Sequence, residues 1–187
     1  MDDMSLKELI RSDLSRIYDL PLSFKQRFFL PPEVKYLKLW RRASYHYKKG
    51  GLYGKLLYLK LEGMMHRTHI QLPPEVEAGP GLYIGHLGRV IVHPDTKLGR
   101  NINLATGITI GRANRGKRAG VPVIGDNVWI GTNAVIVGGI HIGNDVLIAP
   151  NAYVNFDVPD HSVVIGNPGV IKPSENATEG YINRKVG

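Results

Sequence analysis

Residues 81–94 read GLYIGHLGRVIVHP, with His86 standing alone among apolar residues and glycines. Imidazole titrates near neutral pH and is the usual side chain for taking a proton from a hydroxyl. His86 is therefore either an exposed residue on a β-strand or a general base. His93, in VHPD, is followed two residues later by Asp95. An imidazole and a carboxylate so close could support a base; the plainer reading of His93 is a corner residue before a proline. Downstream, GRANRGKRAGVPV places Arg112, Arg115, Lys117 and Arg118 in a glycine-rich stretch. Four cations there suit phosphate oxygens, or form a solvated loop without a fixed partner. No cysteine is present and no serine follows a nucleophile-elbow pattern, so direct transfer is preferred over a covalent enzyme intermediate. No histidine pair has metal-ligand spacing with supporting carboxylates, and no metal is expected.

The chain that must position these residues has 187 of them, 43% hydrophobic and 21% charged, enough for one domain and a helical appendage. It contains no apolar run of transmembrane length. Its start, MDDMSLKELIRSD, lacks the basic, apolar and small-residue succession of a secretory signal. Together with the missing cysteines this makes a cytoplasmic location the expectation. The net charge of +8 is unevenly spread. Residues 1–71 carry 14 Lys/Arg against 7 Asp/Glu, while residues 72–187 carry 10 against 9. Nothing else in the basic part resembles a nucleic-acid module, and no nucleic-acid partner is expected.

Residues 1–71 read as a helical region. Ser5 and Glu8 form a capping-box pattern ahead of the stripe Leu6, Leu9, Ile10, Leu14 and Ile17, and Pro21 is expected to end that helix. Pro32 suits the first turn of a second helix running through Val34, Leu37, Trp40, Ala43 and Tyr47, which Gly50-Gly51 breaks. A third apolar stretch, LYGKLLYLKLEGMMH, follows.

After Leu72 a period appears. Ile124, Ile130, Ile136, Ile142, Ile148 and Val154 are each six residues apart, and Leu98, Leu104 and Ile110 keep that spacing, as do Ile84 and Val90. Two offsets interrupt it: eight residues from Val90 to Leu98, and fourteen from Ile110 to Ile124. Six does not fit a helical turn, and β-branched residues with glycine dominate. Each hexad is one short strand and a corner, three hexads close one triangular coil, and each aliphatic stacks on its equivalent eighteen residues on. The pattern predicts about five coils over 72–172, with a tail at 173–187.

This period, with the segments GLYIGHLGRVIV, ATGITIG, GKRAGVPVIGDNVWIG and VVIGNPGVIK, resembles the hexapeptide-repeat acyltransferases, and within them the serine O-acetyltransferases or their polysaccharide O-acetyltransferase-like branch. The resemblance implies a mainly β fold, a left-handed parallel β-helix with an N-terminal α-helical region. It implies transfer of acetyl from acetyl-CoA to a hydroxyl, and a homotrimer or a pair of trimers with sites between adjacent β-helices. By the same resemblance His86 is the base. Gly111, Gly131, Thr132, Ala149 and Pro150 would line the pantetheine arm, the loop cations would meet the phosphates, and Lys172 would lie near the nucleotide.

The chain departs from the family at three points. Gly85 stands where an aspartate precedes the base, Val121 where a second histidine precedes Pro122, and Gln71 where a further aspartate opens the coil region. The first two belong to serine binding and base orientation in the family, so the acceptor is either L-serine or a sugar hydroxyl. N-acetylation of an amino sugar and a non-catalytic scaffold are the alternatives. The stretch KYLKLWRRASYHYKKGGLYGKLLYLK interleaves basic and aromatic residues. It reads as a helical cap with solvated lysines, or less favourably as a peripheral contact with an anionic membrane.

Overall fold

The computed structural model describes residues 4–187. Helix α1 (Leu6–Ser15) opens with the capping box: Ser5 Oγ accepts from Glu8 N at 3.3 Å, and Glu8 Oε2 accepts from Ser5 N at 2.8 Å. The helix ends at Ser15, well before Pro21. The chain turns where Arg16 is pinned: its buried guanidinium donates to Gly81 O, Asn183 O and Asn103 Oδ1. A short helix that the pattern reading passed over, α2 (Phe24–Phe28), has its own capping box in Ser23 and Gln26. Helix α3 (Pro32–Lys49) starts on Pro32, and Gly50 and Gly51, at φ +71° and +89°, turn the chain into α4 (Leu52–Thr68). The two long helices meet closely at Gly54, where a Cβ would come within 2.8 Å of the His46 carbonyl oxygen.

The remainder is a parallel β-helix of about five coils with three faces. The first face stacks Ile70–Gln71, Val90–Val92, Thr109–Gly111, Val135–Val137 and Tyr153–Val154. The second stacks Glu77–Ala78, Lys97–Leu98, Val123–Ile124 and His141–Ile142. The third stacks Tyr83–Ile84, Asn103–Leu104, Val128–Ile130, Val146–Ile148 and Ser162–Ile165, and Val170–Pro173 closes it antiparallel. Ile124 pairs with Ile142 and Ile130 with Ile148, as the period requires. Each side contributes two inward residues, not one. Val128 and Ile140 are buried beside Ile130 and Ile142, as are Ile102 and Ile108 beside Leu104 and Ile110.

One register differs from the sequence reading. Ile70 pairs with Val90, and Val92 with Ile110. Val92 therefore keeps the six-residue spacing to Leu98, and the two surplus residues lie between Ile84 and Val90. Both valines are buried, so burial pattern alone could not separate them. The corners are held by side chains that stand in for missing backbone partners. Asp126 Oδ1 accepts from Arg100 N at 2.7 Å, Asn144 Oδ1 from Asp126 N at 2.8 Å, and Asp160 Oδ1 from Asn144 N at 2.7 Å.

Helix α3 covers the open end of the first coil. The buried Tyr36 hydroxyl donates to Leu72 O and accepts from Leu72 N, and Trp40 Nε1 donates to Pro73 O at 3.0 Å. Beneath it Arg41 grips both oxygens of Asp13 at 2.7 and 2.9 Å and also donates to Ala78 O and Gly79 O. Asp13 in turn accepts from Leu82 N at 2.9 Å. At the far side Asp145 gathers the tail, accepting from Thr178 Oγ1 at 2.6 Å and from the backbone of Asn176, Ala177 and Thr178. The tail then runs back down the coils, with Tyr181 packed on Trp129 at 4.9 Å between ring centroids.

Two outcomes follow from these contacts. Asp13→Ala leaves the Arg41 charge buried and unpaired and is expected to lower unfolding stability by about 3–5 kcal/mol, read by denaturant titration. Burial alone would raise the pKa of Asp145, but hydrogen bonds from Thr178, His161 and Ala177 outweigh it and hold the carboxyl below its ordinary value. A depressed folded-state pKa gives stability that is present above the unfolded value, about 3.9, and is lost as pH falls through the folded one. Amide-exchange protection of Ala177 and Thr178 is therefore expected to begin falling only below about pH 4 and to be lost as Asp145 takes up its proton at still lower pH, and in Asp145→Ala to be lost already at neutral pH.

Candidate active site

His86 does not lie in a strand. It stands exposed in the five-residue corner 85–89, between Tyr83–Ile84 and Val90–Val92, where the two surplus residues widen the coil. The corner is fixed from both sides. Gly88 N donates to Thr68 O at the end of α4, and Gly107 N donates to Arg89 O from the coil below. Gly88 has φ +133°, and a Cβ there would run into the Thr106 hydroxyl. Below His86 the equivalent corners form one column: 105–107, then 131–133, then 149–151. Asn133 N donates to Thr106 O at 3.1 Å and Asn151 N to Thr132 O at 2.9 Å. Gly131 is required here because a Cβ would meet Pro150 N at 2.7 Å. At about 4.8 Å per coil, the column carries Gly131, Thr132, Ala149 and Pro150 to within about 15 Å of the His86 corner.

The side chain of His86 has no hydrogen bond or ion pair with another described residue. Gly85 is closely overlain by Tyr83. A Cβ at Gly85 would lie 3.1 Å from the Tyr83 ring and 3.2 Å from its hydroxyl. Tyr83 fills that space, and the guanidinium of Arg16 lies 5.9 Å over its ring. Tyr83 was not singled out from the sequence.

His93 and Asp95 sit one corner further on. Between them and His86 lies the strand Val90–Val92, itself roughly 10 Å long at the usual strand rise. Asp95 N donates to His93 Nδ1 at 3.2 Å, and the Asp95 carboxylate lies 3.8 Å from both His93 Nδ1 and Arg112 Nη1. These residues thus form a group with Arg112 and do not meet His86. Gly111 ends a first-face strand, and from it Arg112 to Val121 project as a small excursion closed by two backbone bonds between Ala113 and Gly120. Arg118 pairs with Asp157 at 3.2 Å. The Asp157 carboxyl is held below its ordinary range first by the His141 N–H and then by Arg118. Arg115 and Lys117 are exposed, with no carboxylate partner among the described residues. Lys172 lies on the closing antiparallel strand, opposite Val163. Among the described residues no group of three or more His, Asp or Glu is arranged to hold a metal ion.

Comparison with known proteins agrees with this architecture. Residues 122–155 match the family model described as bacterial transferase hexapeptide (six repeats). The chain carries the hexapeptide repeat over those residues, and in sequence and fold it is similar to serine acetyltransferases. It is 36% identical over 115 residues to a serine acetyltransferase of Staphylococcus aureus, covering 60% of this chain and 53% of the relative. It is 28% identical over 172 residues to serine acetyltransferase 2 of Arabidopsis thaliana, covering 90% of this chain and 52% of that one. The chain thus spans about half the length of the curated relatives it matches. Among solved structures, the serine acetyltransferase of Neisseria gonorrhoeae superposes with a TM-score of 0.76 at 26% identity, over 93% of this chain and 69% of that one. A further structure of the Neisseria enzyme is a complex with serine.

The His86 corner depends on glycine at position 88. Gly88→Ala is expected to lower stability by about 1–3 kcal/mol through its left-handed backbone and the Thr106 contact. It should also shift the His86 ring resonances in an NMR spectrum, whereas Gly180→Ala, which has φ +76° and open space, should leave them in place.

Proposed function

We propose that the chain is an acetyl-CoA-dependent O-acetyltransferase in which His86 is the general base. The observation that supports this reading is the column: an exposed imidazole at a widened corner, above a run of small-residue corners stacked coil on coil. His86 takes the proton of the acceptor hydroxyl as its oxygen attacks the thioester carbonyl carbon. The tetrahedral intermediate collapses by breaking the C–S bond, and the imidazolium returns its proton to the leaving thiolate. An acetyl ester and free CoA result, with no redox change and no covalent enzyme intermediate.

The loop cations lie around the next corner from His86 on the same chain. We propose a homotrimer in which the cleft between two β-helices brings the His86 corner of one copy to the excursion of its neighbour. Arg115 and Lys117, without carboxylates of their own, are then the candidates for the CoA phosphates. The similarity to serine acetyltransferases supports L-serine as acceptor. A sugar hydroxyl is the second reading, favoured by Gly85 and Val121, which remove the carboxylate and imidazole expected beside a serine.

The test is release of the CoA thiol from acetyl-CoA with L-serine, comparing wild type with His86→Ala. A fall in kcat/KM of about 10²–10⁴-fold with CoA affinity retained is the expected result. Equal turnover in the variant would remove His86 from the chemistry. Absence of serine-dependent release in protein that binds CoA by calorimetry directs the acceptor to sugar hydroxyls. Absence of CoA binding would leave the scaffold reading.

A further inference from the structure

The three helices α2, α3 and α4 enclose a groove that the transfer reading does not use. Its walls carry Arg27 from α2, Lys35, Lys38 and Arg42 from α3, and Lys60 from α4, over a floor that includes Leu39 and Met64. No carboxylate lies within ion-pair distance of any of these five cations among the described residues. The only side-chain bond among them goes to a carbonyl, from Arg27 Nε to Leu22 O at 3.2 Å. Partial burial, and then neighbouring Arg42, lower the pKa of Lys38.

Apolar side chains stand exposed on two of the same helices. On α2, Phe24 and Phe28 are 80% and 63% exposed, with their rings 4.8 Å apart, and Phe29 beside them is 77% exposed. On α4, Leu52, Leu56 and Leu59 are 73%, 55% and 62% exposed. Their spacing places them on one outward stripe, next to groove-lining Lys60 and opposite the buried Leu57 and Leu61. A solvated cap has no physical use for aromatic and aliphatic side chains this bare.

We propose that this helical face docks on an anionic lipid surface, with the groove cations on headgroup phosphates and the exposed Phe24–Phe28–Phe29 and Leu52–Leu56–Leu59 side chains in the interfacial region. Charge complementarity selects this occupant. In a two-fold contact between copies the same patch meets itself, which sets five cations against five. A head-to-tail contact would need an acidic surface, and residues 72–187 carry 9 Asp/Glu against 10 Lys/Arg. Unpaired cations interleaved with bare aromatic residues are the composition that an anionic interface attracts. This inference is independent of the acetyl-transfer reading.

The test is co-sedimentation with vesicles of phosphatidylcholine alone or mixed with phosphatidylglycerol, at low and raised salt. Three proteins are compared: wild type, the charge variant Lys35→Glu/Lys38→Glu/Arg42→Glu, and the apolar variant Phe24→Ser/Phe28→Ser. Wild type is expected to bind only the anionic vesicles and to be released by salt. The charge variant should lose about a hundredfold or more in partition coefficient, and the apolar variant about tenfold. Circular dichroism confirms that the variants, changed at accessible positions, remain folded. The proposal is overturned if wild type does not bind anionic vesicles, or if both variants bind as wild type does. It is also overturned if the apolar variant binds normally while glycerol phosphate competes, which would mark a soluble phosphate site. A change of sedimentation coefficient in the variants, with no vesicle binding by wild type, would assign the face to a second copy.

Discussion

A parallel β-helix begins with an unpaired edge, and this molecule depends on how that edge is closed. The first coil presents the N–H and C=O of Leu72 and the carbonyls of Pro73, Ala78 and Gly79 to whatever lies above it. Left open and buried, each such group costs about 1–3 kcal/mol. Left open and exposed, the edge is a template for another chain. Here Tyr36, Trp40 and Arg41 of one helix satisfy all of them. Arg41 can be buried for that purpose only because Asp13 comes with it, and Asp13 is in place only because α1 packs on α3. The ion pair thus contributes less net stability than position: it sets where the helices sit on the first coil, and every later coil is stacked on that one.

The strict repeat and the candidate chemistry occupy different residues for a physical reason. A hexad that keeps its register has every backbone group paired above and below, and both inward side chains in the core. Little remains free. Surplus residues cannot join the ladder, so they are pushed outward as loops. The chain has two such surpluses, the corner with His86 and the excursion with Arg115 and Lys117, and these are the sites to which the transfer reading assigns base and phosphate contacts. The neighbouring corners are plain because the coils meet closely there: a Cβ at Gly131 would run into the Pro150 backbone.

Much of this was legible beforehand. The six-residue spacing gave coil count, stacking partners and the division into helices and β-helix, because burial in a coil repeats with the chain. Capping residues gave the start of α1, and Pro32 and Gly50-Gly51 the limits of α3. What the pattern hid shared one cause, contact between residues far apart in sequence. Pro21 does not end α1 because Arg16 is already held by Gly81, Asn103 and Asn183. The placement of the two surplus residues was ambiguous because Val90 and Val92 are both inward. His93 and Asp95 belong with Arg112 because a strand carries them round a corner. The place of Tyr83 beside Gly85 appears only once the ring is seen overlying that glycine. The helix α2 was legible and overlooked, since Ser23 and Gln26 carry the same capping pattern as Ser5 and Glu8.

The distribution of charge separates structural cations from the rest. Arg16 and Arg41 are buried in the helical region, and each is fully engaged by carbonyls, Asn103 or Asp13. Their contribution to the fold is clear, and it uses two of the 14 cations in residues 1–71. The excess among the others cannot be credited to holding the helices on the coils. Like charges gathered without counter-ions oppose compaction, and the five that line the groove between α2, α3 and α4 do so beside bare phenylalanine and leucine. The coils below are nearly neutral, with 10 Lys/Arg against 9 Asp/Glu, and need no such help to stack. A fold that engages Tyr36, Trp40 and Arg41 on the coil side of α3, and leaves cations without counter-ions along its outer side, is arranged to be completed there by something negatively charged.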